Sequence, residues 1–129
     1  DVCRSMISKD LSTNSVQFER KATVCLYITP DCYPESKDRK GEVVTFPLDI
    51  PKNARIFYGD VSEDDEGVLH LGGSRTAGIV GIGDSIEEAR QTALSLCRGV
   101  QGPVRFREDI GSTDLIQKRV TMVKELRTA

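Results

Sequence analysis

The sequence predicts an α+β fold: a small antiparallel, barrel-like sheet, then one long helix, then a C-terminal helix. Three observations predict it. The first part of the chain breaks into short stretches of period-two alternation separated by turn residues. After a helical opening at residues 2–10, helical periodicity returns only from residue 86 onward. Strands grouped ahead of helices argue against alternating βα units and a parallel sheet.

The elements follow in order. Residues 2–10 read as the close of a helix, because Val2, Met6 and Ile7 share a face, and "STNS" (Ser12 to Ser15) ends it. Residues 1–15 are therefore expected to be a linker and helix from a preceding domain. From Ala22 to Thr29 the chain alternates, with Val24, Leu26 and Ile28 on one side and Cys25 and Tyr27 on the other. This is a strand that stops at Pro30. "PDCYPESKDRKG" is a polar loop. Glu42 to Leu48 reads as a short strand whose Pro47 marks an edge or an end. Ala54 to Val61 is a third. The acidic turn "SEDDEG" lets "VLHL" (Val68 to Leu71) fold back as a hairpin, and Thr76 to Gly83 is a further strand rich in glycine.

The helix over 86–98 has the clearest signal. Ser85 is its N-cap and Glu88, three residues on, completes a capping box. Ile86, Ala89, Ala93, Leu96 and Cys97 form its apolar stripe, and Gly99 stands where a C-cap glycine is expected. "VRFRE" is a short strand. Ser112 or Thr113 caps a last helix with the face Leu115, Ile116, Val120, Val123 and Leu126. The 129 residues fit a single domain.

Composition narrows the function classes. Hydrophobic residues make up 38% and charged residues 29% of the chain, an ordinary globular balance. A formal net charge of −2 gives no reason to expect nucleic acid or an acidic membrane as partner. No apolar run approaches the roughly 20 residues of a membrane span. Four cysteines, Cys3, Cys25, Cys32 and Cys97, contain no C-x2-C pair, and the single His70 is far from them in sequence, so no metal site is expected. Cys25 and Cys97 read as small buried hydrophobes, and a cytoplasmic setting with reduced thiols is expected. The opening "DVCRSMISKD" lacks an initiator methionine and reads as the middle of a longer protein.

Few residues could carry chemistry, and none reads as catalytic. "GGSRTAGIVGIGDS" matches neither phosphate-loop pattern, so its glycines read as structural. His70 has no nucleophile or acid beside it in sequence and reads as an outward-facing or satisfied histidine. "RFREDIG" (Arg105 to Gly111) is different. In an extended segment Arg105 and Arg107 project on one side and Phe106 on the other. Phe106 can then anchor in the core while two guanidinium forks face a cleft and hold a phosphate or carboxylate. The alternative is that Arg107 pairs with Asp109 or Glu108 and stiffens a junction.

Read together, "GIVGIGDSIEEARQTALSLC" and "VRFREDIG" resemble the C-terminal domain of the phosphoribosylamine–glycine ligase family. In that family a strand leading into G-D-[ST]-[LI]-E-E-A precedes an aromatic-R-R-D-I-G signature. "ATVCLYIT", "CYPESKDRKGEVV", "ARIFYGDV" and "LHLGGSR" fit in collinear order, so the resemblance spans about residues 18–111. Residues 112–129 are then an extra C-terminal helix.

The resemblance implies an ATP-grasp ligase of purine biosynthesis. Such an enzyme forms an acyl phosphate on glycine from ATP and magnesium, and the amine of phosphoribosylamine displaces the phosphate. No cofactor is implied for this fragment, because the nucleotide and metal residues lie upstream. Its implied partner is the ATP-grasp domain of the same protein, against which it packs to wall the active site. Arg107 and Arg105 become the implied contacts for a phosphoribosyl substrate, while Asp84, Ser85, Glu88, Asp109 and Gly111 are structural. Glu108 departs from the family pattern, which has a second arginine there. An acid beside a phosphate site would repel the ligand. The alternative function is a non-catalytic binding or assembly module with the same fold.

Overall fold

In a computed structural model, which describes residues 2–12 and 16–128, the chain forms two sheets and three helices. A short helix, α1 (Val2–Ile7), buries none of its residues. Most of the Ser12–Ser15 break expected after it lies outside the described residues.

The main sheet has four antiparallel strands. In chain order they are β1 (Ala22–Pro30), β2 (Ala54–Tyr58), β5 (Ala77–Gly83) and β6 (Val104–Arg105), and their spatial order is β2-β5-β1-β6. A separate ribbon pairs β3 (Val61–Glu63) with β4 (Leu69–Leu71). The sheet is open, so the barrel-like closure expected from many short strands is not present. The remaining helices are α2 (Ile86–Gly99) and α3 (Thr113–Thr128).

The alternation in β1 decides which face is covered. Val24, Leu26 and Ile28 are buried, while Cys25 and Tyr27 stand on the opposite, exposed face. The buried set meets Ala89, Ala93, Leu94, Leu96 and Cys97 of α2, with Ala54 and Ile79 from the neighbouring strands. Each fully buried Leu or Ile contributes about 1.5–3 kcal/mol. Ile86, expected in the helix stripe, stays 44% exposed, and Leu94 fills the face instead. A second cluster, Val44, Phe46, Leu71 and Ala77, sits under the ribbon.

The strand read over "VRFRE" covers only Val104–Arg105. Three further departures from the sequence reading have a physical reason each. The strand expected over 54–61 bends at Gly59. Its N–H donates to the Thr76 carbonyl at 2.8 Å, and a Cβ there would lie 2.5 Å from the Arg75 carbonyl oxygen. The chain therefore leaves the main sheet and continues as β3. Glu42 to Leu48 keeps the alternation, with Val44 and Phe46 buried, but it pairs only through single bridges, Val43 with His70 and Thr45 with Gln101. It is wedged between two partners and completes a ladder with neither. Gly99 is the last helical residue rather than a left-handed cap. Its hydrogen faces Pro47, whose Cγ would lie 2.7 Å from an added Cβ.

The cap forms at Ser85 as the sequence implies, but Glu88 reaches back to the N–H of the residue before the cap rather than to that of Ser85. Ser85 Oγ accepts from the Glu88 N–H at 3.2 Å, and Glu88 Oε2 accepts from the Asp84 N–H at 2.7 Å. Ser85→Ala is expected to lower stability by about 1 kcal/mol in a denaturant melt. An unchanged midpoint would mean that tertiary contacts alone hold the start of α2.

Candidate functional site

With α2 on one face of the sheet, the other face stays open. There β1 contributes Cys25, Tyr27 and Thr29, β6 adds Arg105, and the segment after it adds Phe106, Arg107 and Ile110. Tyr33 and Pro34 come from the loop after β1, and Arg75 from the turn before β5. Together these line a cleft of about 540 Å³. Cys25, expected as a buried hydrophobe, is exposed here. The alternation that buries Val24 and Leu26 turns it outward. Cys97 is the buried thiol, and burial pushes its pKa up to about 12.

"RFREDIG" opens onto this cleft as its alternation implies. Phe106 packs against the main core, while Arg105 and Arg107 both face outward. The Arg105 guanidinium donates to the Tyr33 carbonyl and lies 3.7 Å from Glu35. Arg107 makes a two-pronged pair with Asp109, Nε to Oδ1 at 2.9 Å and Nη2 to Oδ2 at 2.5 Å. That pair holds the Asp109 carboxyl below its ordinary value. Both readings of the motif are therefore present in one place: Arg107 stiffens the junction, and both arginines line a cleft. Gly111 follows at φ 75°, a left-handed conformation that favours glycine.

Glu108 does not stand among the arginines of the cleft. Its carboxylate pairs with Arg98 at 3.0 Å, near the end of α2, and its carbonyl accepts from Arg90 at 2.7 Å. The repulsion expected from an acid at this position falls elsewhere. Asp84, at the other end of α2, pairs with Lys21.

Sequence reading missed Arg75. It lies in "GGSR", read as a turn, yet its guanidinium stacks over Tyr27, 5.2 Å from the ring centroid. Among the described residues no carboxylate is within ion-pair distance of it. A cation that is not neutralised, stacked on an aromatic ring inside a cleft, is well placed to take an anion. The available signal was an arginine closing a glycine turn next to a central strand.

His70 lies outside the cleft. Its Nδ1 is 3.0 Å from the Gly41 carbonyl oxygen and its Nε2 is 2.8 Å from Asp64 Oδ2. A carbonyl and a carboxylate both accept, so the imidazolium satisfies both at once. The Asp64 bond, and then the Gly41 carbonyl, raise the His70 pKa above its ordinary 6.5. The stability from this clasp is full below 6.5 and is lost as pH rises through the raised value. Below 3.8 it is lost again, as Asp64, whose own pKa is lowered, takes up a proton. Thermal melts across neutral pH should fall on the alkaline side for the wild type but not for His70→Gln. Parallel profiles would show that the clasp adds nothing.

Two further observations bear on cofactors and surfaces. Among the described residues no group of three or more His, Cys, Asp or Glu side chains could hold a metal ion. No described helix is long and apolar enough to cross a membrane. A groove of about 490 Å³ beside α3 is lined only by that helix's own side chains, so it has no second wall.

Residues 23–113 match the family described as phosphoribosylglycinamide synthetase, C domain. The chain belongs to this family. Among its relatives, phosphoribosylamine–glycine ligase of Methanobrevibacter smithii is 44% identical over 129 residues, covering 98% of this chain and 28% of that protein. The enzyme of the same name from Methanocaldococcus jannaschii is 40% identical, covering 98% of this chain and 29% of its own length. The crystal structure of phosphoribosylamine–glycine ligase from Thermotoga maritima superposes with a TM-score of 0.55 at 32% identity. It covers 65% of this chain and 20% of that one. The chain thus spans less than a third of the relatives it matches. With 98% of the chain aligned, fewer residues are left out than the 16 of α3. Most of that helix therefore has a counterpart in these relatives, so it is not peculiar to this chain.

Proposed function

We propose that this chain is the C-terminal module of an ATP-dependent ligase joining glycine to phosphoribosylamine. Its open sheet face would wall the part of the active site that holds the substrate phosphate. The arginine cleft carries this reading: Arg75, Arg105 and Arg107 converge on one face of a domain from a ligase family. Planar forks suit phosphate oxygens, and a fixed phosphate positions the amine at the far end of the sugar for attack on the glycyl carbonyl.

ATP and magnesium would be held by the remainder of the protein. The ATP-grasp domain would be the packing partner, in a cytoplasmic enzyme. The test is a ligation assay on the longer protein, supplied with glycine, ATP, magnesium and phosphoribosylamine formed in place. Release of ADP that depends on both acceptor and glycine is expected. ADP release independent of phosphoribosylamine would contradict the assignment. The alternative, a non-catalytic binding or assembly module, draws on Glu108 and on the C-terminal helix as an assembly surface; Glu108 pairs with Arg98, clear of the cleft arginines.

A further inference from the structure

The three arginines of the cleft are not equally free. Arg107 is held by two bonds to Asp109, at 2.9 and 2.5 Å. Opening such a fork loses both charge-assisted bonds at once. Arg75 has no carboxylate within ion-pair distance among the described residues, and its guanidinium rests on Tyr27. Arg105 stands between these extremes. It donates to the Tyr33 carbonyl, and its Nη2 lies 3.7 Å from Glu35 Oε2, an ion pair too long to be a hydrogen bond.

The loop after β1 fixes one of these partners and leaves the other free to swing. Residues 31–35 form a turn. The Tyr33 N–H donates to the Pro30 carbonyl at 3.1 Å, and the Ser36 N–H donates to the Cys32 carbonyl at 3.0 Å. The Asp31 N–H donates to the Pro103 carbonyl at 2.9 Å, which ties the turn to the residue before β6. The backbone that presents the Tyr33 carbonyl is thereby held, and it anchors Arg105. The Glu35 side chain reaches out from the same turn and is 73% exposed. Among the described residues Arg105 is its one ion-pair partner. Glu35 is thus a loosely placed carboxylate on a fixed base, beside an arginine that is anchored without it.

Charge gives this arrangement a consequence. A phosphate monoester carries about −1.5 to −2 charges near neutral pH, which two cations match. With Glu35 beside Arg105, the cleft offers one unopposed guanidinium, Arg75. With Glu35 turned away, it offers two. Asp109 is a poor candidate for the same exchange, because its two-pronged pair also stiffens the junction after β6.

We propose that Glu35 is a displaceable counter-ion of the cleft: it faces Arg105 while the cleft is empty, gives way to the substrate phosphate, and so lowers the affinity for phosphate-bearing ligands. The proposal rests on the reading of the arginine cleft as the phosphate site, and adds to that site a residue that opposes binding.

Titration of the full-length protein with ribose 5-phosphate tests it, comparing wild type, Glu35→Gln and Arg75→Ala. Glu35→Gln removes the charge of an exposed side chain and keeps its shape. At low ionic strength it should bind roughly 2- to 5-fold more tightly than wild type, the weight of an exposed ion pair. In about 1 M salt, where the screening length falls to about 3 Å, the gain should vanish. A Glu35 that only shaped the loop would give no gain, and its effect would not follow salt. Arg75→Ala separates the two readings. If it loses binding while Glu35→Gln binds no better than wild type, the cleft holds phosphate and the role given to Glu35 is overturned. A gain that persists undiminished in high salt overturns that role as well. Binding that survives Arg75→Ala unchanged, or no binding by wild type, overturns the cleft reading and the proposal with it.

Discussion

Gly81→Val is expected to destabilise the domain by about 3 kcal/mol or more, at or beyond the upper end for overpacked cores. Gly81 pairs with Val24 and Ala54 at the centre of the sheet, and α2 lies directly on it. The space a side chain would need is already held by backbone, Ala89 O at 2.0 Å and Ala93 N at 2.7 Å. Backbone atoms of a helix cannot step aside singly. Either α2 lifts off the sheet, or β5 shifts and breaks its ladders. Lifting α2 would expose Leu94, Ala93 and Cys97, which face the sheet's buried side. Against a total stability of 5–15 kcal/mol for a domain, the melting temperature should fall by roughly 10 °C or more. Gly78→Ala, three residues away on the opposite face, should change it little. Equal effects from the two substitutions would mean that strand propensity, not the approach of α2, sets the requirement.

If the proposed ligation is the activity, Arg75→Ala is expected to lower kcat/KM of the full-length protein by roughly 10- to 150-fold, the equivalent of a charge-assisted hydrogen bond of about 1.5–3 kcal/mol. Folding should not suffer, because Arg75 pairs with no carboxylate among the described residues and contacts Tyr27 only through its stacked ring. Arg107→Ala is a less direct probe. It releases Asp109 from a two-pronged pair and so mixes loss of an anion contact with loosening of the junction. Wild-type kinetics in Arg75→Ala would remove it from the site. A lower melting temperature in step with lower activity would make its role structural.

The sequence carried most of the fold because period and punctuation agreed. Val24, Leu26 and Ile28 set the covered side of β1, and Ser85 with Glu88 set the start of α2. What it could not carry depended on approach between distant segments. Nothing local to Gly59 says that the Thr76 carbonyl will turn the strand there, and nothing local to Gly99 says that Pro47 will pack on it. The ragged pairing of Glu42 to Leu48 has the same origin, since its alternation was correct but its partners lie on both sides.

The site divided in the same way. Arg105 and Arg107 were legible because alternate residues of an extended segment share a face. Arg75 was not, because a turn gives no side-chain direction until its neighbours are placed. Glu108 was misjudged for a related reason. Adjacent in sequence to Arg107, it lies on the other side of the segment, within reach of Arg98.

The central claim is that the open sheet face holds the phosphate end of a ligase substrate through Arg75 and Arg105. Calorimetric titration of the full-length protein with ribose 5-phosphate tests it most directly, comparing wild type with an Arg75→Ala, Arg105→Ala double variant of equal melting temperature. Saturable binding in the wild type that the double variant loses is the predicted result. Equal affinity in both proteins would contradict the claim.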